Sequence, residues 1–183
     1  MEADISKISF GEYVFNISTN SFYQVNPVQT EKLYNLAIDG ANLDKQDVIL
    51  DLYCGIGTIG IFASKYVKKV YGIEIVEEAI ENAKENSKLN SIDNIEFMVG
   101  DVEKAFENLI KQKSIMPDVV FVDPPRKGLD VTTIGNLLKV MPKKIIYISC
   151  NPATLMRDLS KLEEKYEICK ITPVDMFPFT RTR

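Results

Sequence analysis

Short apolar runs alternate with longer amphipathic segments along most of this chain. The runs are rich in Val, Ile and Leu, which predicts strands at residues 48–52, 70–74, 95–99, 118–122 and 144–149. The segments between them repeat apolar positions at helical spacing, which predicts helices at residues 57–66, 76–90, 102–111, 131–140 and 152–165. Strands this apolar are buried on both faces. We therefore predict a Rossmann-like, doubly wound α/β fold with a mostly parallel sheet.

The two ends of the chain depart from this alternation. Residues 1–26 are rich in β-branched and aromatic side chains, so we predict a strand or hairpin appendage that ends a preceding domain. A helix is predicted from residue 27 to residue 40, and the α/β domain is expected to span residues 27–183. Residues 168–174 are predicted to form a sixth strand.

The amino-acid composition limits the location and the kinds of catalytic site that we expect for this chain. The 183 residues suit one domain, and no apolar run approaches the roughly 18 residues of a membrane span, so we expect a cytoplasmic protein. The chain has 3 cysteines and no histidine, which excludes a histidine-ligated zinc site and a Ser-His-Asp triad. We expect no metal in this segment. The net charge of −4 implies that any grip on nucleic acid is local or lies on another domain or partner.

A glycine-rich loop follows the first strand of the α/β domain. Residues 55–60 match G-x-G-x-x-G, and Glu74 ends the next strand, where an acid binds ribose hydroxyls. Both a dinucleotide and S-adenosylmethionine use this geometry. Asp51 favours S-adenosylmethionine, because an acid before Gly55 repels a pyrophosphate and suits a positively charged cofactor. Residues 51–57 also resemble the first motif of class I methyltransferases.

Asp101 follows the third strand of this domain. It is predicted to cap the next helix and to lie near the adenine amino group, and these two roles are compatible.

Two further motifs follow the fourth and fifth strands. Residues 123–128 read DPPRKG, where the prolines hold Asp123 in a rigid turn and Arg126 suits a carbonyl or phosphate better than an amine. Residues 149–154 read SCNPAT, which places Cys150 at the edge of the sheet that carries the glycine loop. A helix is predicted to begin just after Cys150, and a helix N-terminus favours the thiolate form of a nearby cysteine.

These two motifs together resemble the family of RNA uridine-5-methyltransferases, which form 5-methyluridine in ribosomal and transfer RNA. Residues 22–26 and 174–178 match the same family, so the resemblance runs from about residue 11 to the end of the chain. It implies a class I S-adenosylmethionine-dependent catalytic domain acting on RNA, and it favours ribosomal RNA (23S) over transfer RNA.

The resemblance also assigns roles. Cys150 would be the nucleophile that adds to carbon 6 of uracil, so that carbon 5 becomes able to attack the methyl group. Asp123 and Arg126 would contact the base. The cofactor site would be lined by Gln24, Tyr53, Gly55, Glu74, Asp101 and Asp123. Arg126, Lys127, Arg157 and Lys161 would supply a local phosphate grip.

The C-terminus departs from the family pattern. The family's motif resembles Met-Phe-Pro-x-Thr-x-His-Val-Glu, whose glutamate is the base. Here Thr182 stands at the histidine position and the chain ends before the glutamate. We therefore expect a C-terminally truncated domain, lacking its last strand, that binds S-adenosylmethionine but turns over poorly or not at all.

Three other functions remain open at this point. The glycine loop also suits a nicotinamide-dependent oxidoreductase. The proline motif also suits a methyltransferase acting on a base amino group. Finally, the truncated terminus suits a catalytically dead fragment that only binds the cofactor or RNA.

Overall fold

The computed structural model describes residues 6–17 and 26–178. The chain begins with an antiparallel hairpin of β1 (Ser6–Phe10) and β2 (Tyr13–Ile17), which agrees with the prediction for the N-terminal segment. The α/β part follows as α1 (Pro27–Ala41), β3 (Val48–Leu52), α2 (Thr58–Ser64), β4 (Lys69–Glu74), α3 (Glu77–Leu89), β5 (Ile95–Val99), α4 (Val102–Lys113), β6 (Val119–Val122), α5 (Val131–Val140), β7 (Lys144–Tyr147) and α6 (Pro152–Leu162). No helix in these ranges is both long and apolar enough to cross a membrane.

The five strands of the main sheet are all parallel and lie in the order β5-β4-β3-β6-β7. The chain winds outward from β3 through β4 to β5, and then returns to the other side of β3 for β6 and β7. This reversal makes the gap between β3 and β6 the topological switch point, where ligands bind in open α/β sheets. The predicted doubly wound α/β fold is confirmed.

Alternate residues of the central strands build two separate cores, one on each face of the sheet. Ile49 and Phe121 point to the face covered by α1, α2 and the hairpin. Leu50 and Val122 point to the opposite face, which is covered by α4 and α5. Burial on both faces explains why these strands are almost entirely apolar.

The hairpin packs onto the first of these cores. Phe15 is buried, and its ring stacks on that of Phe62 in α2 at 6.4 Å between centroids. The free edge of β2 is paired by side chains of α3: Asn86 Oδ1 accepts from Asn16 N at 2.7 Å, and Asn90 Oδ1 accepts from Val14 N at 2.9 Å. These two side-chain amides, one helical turn apart, thus make the kind of hydrogen bond to β2 that a neighbouring strand would make. The division into a 1–26 appendage and a 27–183 domain stays a prediction.

The predicted sixth strand at residues 168–174 is wrong. This segment makes no ladder with any strand in the described part of the chain, and Ile171 is 65% exposed. The β-branched composition suits a strand, but a strand is stable only where a neighbour supplies hydrogen bonds and an apolar face. Nothing in the described ranges supplies either one to this segment.

Candidate active site

The carboxyl ends of the parallel strands bring the predicted site residues to one edge of the sheet. At the end of β3, Leu52 pairs with the neighbouring strands β4 and β6. The next residue along each of these three strands is Tyr53, Glu74 or Asp123. Cys150 follows β7, the strand adjacent to β6. The residues proposed for cofactor, base and nucleophile therefore surround the switch point on both sides.

The glycine loop, residues 53–57, has a tightly constrained backbone. Gly57 has φ +82°, and a Cβ there would lie 2.6 Å from Cζ of Phe97, so no larger residue fits. Tyr53 also has a positive φ, +63°, although it is not glycine. A non-glycine residue in this region costs about 1–3 kcal/mol, a strain that is concentrated at functional sites. The loop thus brings its backbone close to the position where a ligand would lie.

Asp51 lies beneath this loop and is fully buried. Its Oδ2 accepts from Gly60 N at 2.9 Å, whereas its Oδ1 has no hydrogen-bond partner. Burial, reinforced by the nearby carboxyls of Asp123 and Glu74, raises the pKa of Asp51 to about 8. A buried acid with an unpaired oxygen, beside two other acids, is suited to a cationic ligand and would repel a pyrophosphate. The residues present therefore fit S-adenosylmethionine and disfavour a dinucleotide.

Glu74 holds the glycine loop against the end of β4. Its Oε2 accepts from Gly55 N at 3.2 Å, and its Oε1 accepts from Ile75 N at 2.8 Å and Val76 N at 3.1 Å. The side chains of Ile75 and Val76 are 62% and 47% exposed. The helix predicted from residue 76 begins at Glu77, because Val76 is its N-cap residue. Two exposed apolar side chains beside an acid form a surface on which an adenine ring could pack.

Asp101 caps α4, as predicted, by accepting from Lys104 N at 3.3 Å. A hydrogen bond shared with Glu103 lowers the pKa of Asp101, while that bond and one to Asp130 raise the pKa of Glu103 to about 7. Tyr53 lies beside this acidic group, and burial raises the pKa of its hydroxyl to about 12. Asp101 and Tyr53 thus lie near each other although different strands carry them.

The arginine loop, residues 123–129, begins at the switch point. Burial raises the pKa of Asp123 to about 7. Residues 125–128 form a turn in which Gly128 N donates to Pro125 O at 2.8 Å, and this turn leaves the side chains of Arg126 and Lys127 exposed. Asp123 is partly exposed at the switch point, and Arg126 is free to meet a substrate.

Cys150 is exposed and not packed into the core, so its thiol is accessible. The next residue, Asn151, caps α6 by accepting from Ala153 N at 3.1 Å, and Pro152 occupies the first helical turn. The structure thus places Cys150 just before a helix N-terminus, as predicted. Cys54, by contrast, is buried.

The arginine loop is tied directly to the segment that carries Cys150. The carbonyl oxygen of Arg126 accepts from Asn151 Nδ2 at 3.2 Å and from Thr154 Oγ1 at 3.1 Å. The two motifs, which lie more than twenty residues apart in the sequence, are therefore joined by hydrogen bonds in the fold.

The Arg157 guanidinium is bound within the protein through Nε and Nη2 while its side chain stays 47% exposed, so its part in a phosphate grip stays a prediction. Its Nη2 donates to Lys127 O at 2.8 Å and to Leu129 O at 3.2 Å, and the same nitrogen pairs with Asp158. Lys161 lies in the last turn of α6, and its part in a phosphate grip stays a prediction. Sequence reasoning missed Asp158 altogether, because an acid within an amphipathic helix looks like ordinary surface charge.

The two other family motifs, residues 22–26 and 174–178, lie only partly within the described residues. Gln24 lies outside them, as does Thr182, so their predicted roles stay predictions. Asn26 caps α1, and its Nδ2 donates to Met176 O at 3.1 Å. The motif before α1 and the motif near the C-terminus therefore meet.

The fold and this edge of the sheet define a class I methyltransferase. The family model for tRNA (Uracil-5-)-methyltransferase matches residues 4–182, and the chain belongs to that family. The prediction of S-adenosylmethionine as cofactor is confirmed with the family.

Relatives of known sequence or structure agree with this placement. An uncharacterized RNA methyltransferase of Clostridium acetobutylicum is 54% identical over 171 residues, and one of Oceanobacillus iheyensis is 52% identical. Each alignment covers 93% of this chain but 37% of the relative, so the chain spans little more than a third of their length.

Solved structures extend the comparison. The tRNA (uracil-54, C5)-methyltransferase of Pyrococcus abyssi, solved with S-adenosyl-L-homocysteine, superposes with a TM-score of 0.80 at 34% identity, covering 96% of this chain and 41% of that one. The tRNA m1G37 methyltransferase of Methanocaldococcus jannaschii superposes over 91% of this chain and 50% of that one, with a TM-score of 0.63 at 18% identity. The second likeness shows the fold alone.

Proposed function

We propose that this chain is the catalytic domain of an RNA methyltransferase that transfers a methyl group to carbon 5 of a uridine through a covalent adduct on Cys150. The observation that carries the proposal is the exposed Cys150, whose neighbour Asn151 donates to the backbone carbonyl of Arg126 in the arginine loop. The exposed Cys169 has no such link to the arginine loop in the described part of the chain.

The bound cofactor would supply the methyl group from its positively charged sulfonium. Gly55 and Glu74 would line the ribose side, and Asp51 would offer its unpaired oxygen to the cationic end. Ile75 and Val76 would cover the adenine, with Asp101 at its amino group. Tyr53 and Asp123 would close the site where it opens toward the base, and Gln24 would complete it.

The reaction follows from the chemistry of uracil, whose carbon 5 is a weak nucleophile. Addition of the Cys150 thiolate to carbon 6 moves the electron pair of the C5–C6 double bond onto the O4 carbonyl as an enolate. Carbon 5 then attacks the methyl group, and the carbon–sulfur bond breaks with its electron pair going to sulfur, which leaves as a neutral thioether. Loss of the carbon 5 proton to a base restores the double bond and expels the thiolate.

Arg126 and Asp123 would assist at the base. The Arg126 guanidinium is exposed and would stabilise negative charge on the ring oxygens as the enolate forms. Asp123, with a pKa raised to about 7, is partly protonated near neutral pH and would then donate a hydrogen bond to a uracil carbonyl. An unstacked uridine is required, which points to loop nucleotides.

The target RNA is a further part of the proposal. The resemblance favours 23S ribosomal RNA, whereas the Pyrococcus abyssi relative is named for a tRNA position. Methylation of matched ribosomal and transfer RNA transcripts by the parent protein distinguishes the two targets. The expected loss of turnover through a missing base, and the expected cytoplasmic location, stay predictions.

The test is covalent trapping with RNA that contains 5-fluorouridine. Fluorine at carbon 5 cannot be removed as a proton, so the methylated adduct persists whether or not a base is present. We expect a stable RNA–protein band that requires S-adenosylmethionine. Cys150→Ala should abolish it, and the matched control Cys169→Ala, which also removes an exposed thiol, should retain it. An adduct that survives in Cys150→Ala would overturn the proposal.

A further inference from the structure

A fully buried carboxylate lies behind the arginine loop. Asp158 has 0% exposure, yet both its oxygens are satisfied. Oδ1 accepts from Arg157 Nε at 2.9 Å and from Arg157 Nη2 at 2.7 Å, and Oδ2 accepts from Leu129 N at 2.7 Å and from the Tyr147 hydroxyl at 2.8 Å. We call Tyr147, Arg157 and Asp158 the Asp158 network.

The Asp158 network grips the backbone of the arginine loop. Asp158 holds the Leu129 amide, while Arg157 holds the carbonyls of Lys127 and Leu129. Gly128 lies between them at φ +75°, where a Cβ would be 2.4 Å from Asp158 Oδ2. Backbone groups on both sides of one glycine are therefore fixed by two adjacent side chains of α6.

This arrangement is costly to bury and specific in what it holds. Asp158 is fully buried whereas the Arg157 side chain is 47% exposed, and burying a carboxylate costs free energy that its hydrogen bonds must offset. The contribution of the Asp158 network is to fix the orientation of the backbone groups that it binds. The planar guanidinium directs donors at fixed angles, which an apolar pair does not do.

The network also connects the two halves of the proposed chemistry. The loop that it fixes carries Arg126, and the helix that bears it begins immediately after Cys150. Tyr147, the third member, ends β7, the strand that leads into Cys150. All three members thus belong to the elements on either side of the cysteine. Asp158 and Arg157 bond to the arginine loop directly, whereas the Tyr147 hydroxyl donates to Asp158.

We propose that the Asp158 network is a positioning device that sets the placement of Arg126 relative to Cys150, so that the uracil ring is held at the angle thiolate addition requires. This inference rests on the proposed function, since it concerns the same reaction. Its members do not touch the substrate. They act through the backbone of residues 127–129.

The experiment compares Arg157→Lys and Tyr147→Phe with the control Leu162→Ala. Arg157→Lys keeps the positive charge but loses the planar guanidinium and its fixed donors, and Tyr147→Phe removes only one hydroxyl. Leu162 is buried in the same helix and makes no hydrogen bond to the arginine loop through its side chain, so its truncation destabilises the helix without touching the network. The readouts are the rate of adduct formation with 5-fluorouridine RNA, the Kd for S-adenosylmethionine, and hydrogen exchange at the Leu129 amide.

We expect adduct formation to slow by about tenfold or more in Arg157→Lys and less in Tyr147→Phe, since small misplacements of reacting groups are costly, while cofactor affinity changes by less than about twofold. The Leu129 amide should exchange faster in both variants. Leu162→Ala should form the adduct at the wild-type rate below its melting temperature.

Three results would count against these ideas in different ways. A wild-type protein that forms no adduct overturns the proposed function and this inference with it. A wild type that reacts, with Arg157→Lys reacting equally fast, overturns the positioning role alone. An equal slowing in Leu162→Ala also overturns it, because general destabilisation would then account for the loss.

Discussion

The two halves of the active-site edge are built by different means. The cofactor half comprises β3, β4, β5 and the loops after them, and its geometry comes from backbone conformation and close packing, as where Gly57 abuts Phe97. The nucleophile half comprises β6, β7, α6 and their loops, and side chains of α6 hold it in place through hydrogen bonds to the arginine loop. Glu74 adds side-chain hydrogen bonds to the first half and Gly128 adds a position without room for a Cβ to the second, so the two halves differ in which kind of contact dominates.

This difference has a functional reason. A cofactor site that binds the same molecule in every turnover can be a fixed backbone cradle. Under the proposed function, the nucleophile half must place Cys150 and Arg126, from separate loops, around a base that arrives with the RNA. Side-chain hydrogen bonds across the loops provide that relative placement, so damage to one half should leave the other largely intact.

The largest effect is expected for Gly57→Ala in the cofactor half. The added Cβ meets Phe97 at 2.6 Å and the residue keeps a positive φ, so we expect a loss of about 3 kcal/mol in unfolding free energy. Binding of S-adenosylmethionine should also be lost. Urea unfolding and calorimetry measure the two effects. Gly55→Ala is the matched control, because it has φ +52° but open space, and it should destabilise the fold by only about 1 kcal/mol.

For Gly128→Ala in the nucleophile half, we expect a smaller loss of stability than for Gly57→Ala, and an effect on adduct formation rather than on cofactor binding. Its Cβ would press on Asp158 at 2.4 Å, which we expect to cost about 2 kcal/mol in unfolding free energy. Trapping of 5-fluorouridine RNA should slow, while cofactor affinity is retained. Gly135→Ala lies in α5 with open space around it and should be neutral or stabilising. Loss of cofactor binding in Gly128→Ala would contradict the independence of the two halves.

The hairpin offers a third test, through its link to the glycine loop. The Asn86 side chain holds the backbone of Asn16 and also donates to Ile56 O at 3.3 Å. Asn86→Ala leaves these buried groups unpaired, so we expect a loss of about 1–2 kcal/mol in thermal or urea unfolding. Asn90 is less buried than Asn86, so Asn90→Ala should lower the unfolding free energy by less. Equal costs would show that burial does not decide the effect.

The smallest effect concerns pH. The pKa values of Asp51 and Asp123 are raised to about 8 and about 7, so both carboxyls bind protons in the free protein at pH 6. Their stabilising protonation is lost as pH rises through these values. A cationic ligand beside the unpaired Asp51 oxygen favours the ionised form of that carboxyl, so binding should release a proton from Asp51 and affinity for S-adenosylmethionine should rise about tenfold from pH 6 to pH 8.

Calorimetry in buffers of different ionisation enthalpy measures the protons released. Asp51→Asn should reduce both the release and the pH dependence. A Kd that stays constant across this range in the wild type would show that neither carboxyl is coupled to the cofactor.

Most of the cofactor half was predictable because its signals are local. The order of strands and helices follows from apolar spacing, and the glycine loop, Glu74 and Asp101 each stand next to the strand that positions them. The helix ends were placed less well, since α2 stops at Ser64 and α6 at Leu162. The predicted strand at residues 168–174 failed because a strand requires a neighbour, and no local pattern reports whether one is present.

By itself, the sequence determined the α/β class, the family, the glycine loop and the candidate nucleophile Cys150, because each is encoded in residues that are close together in the chain. Only the tertiary structure decided that Arg157 is bound to the arginine loop, that Asp158 is buried beneath it, and that Asn86 closes the edge of the hairpin. The physical reason is that the partner of a polar side chain is set by packing between elements distant in sequence, and the same residue reads as ordinary surface charge until that packing is known.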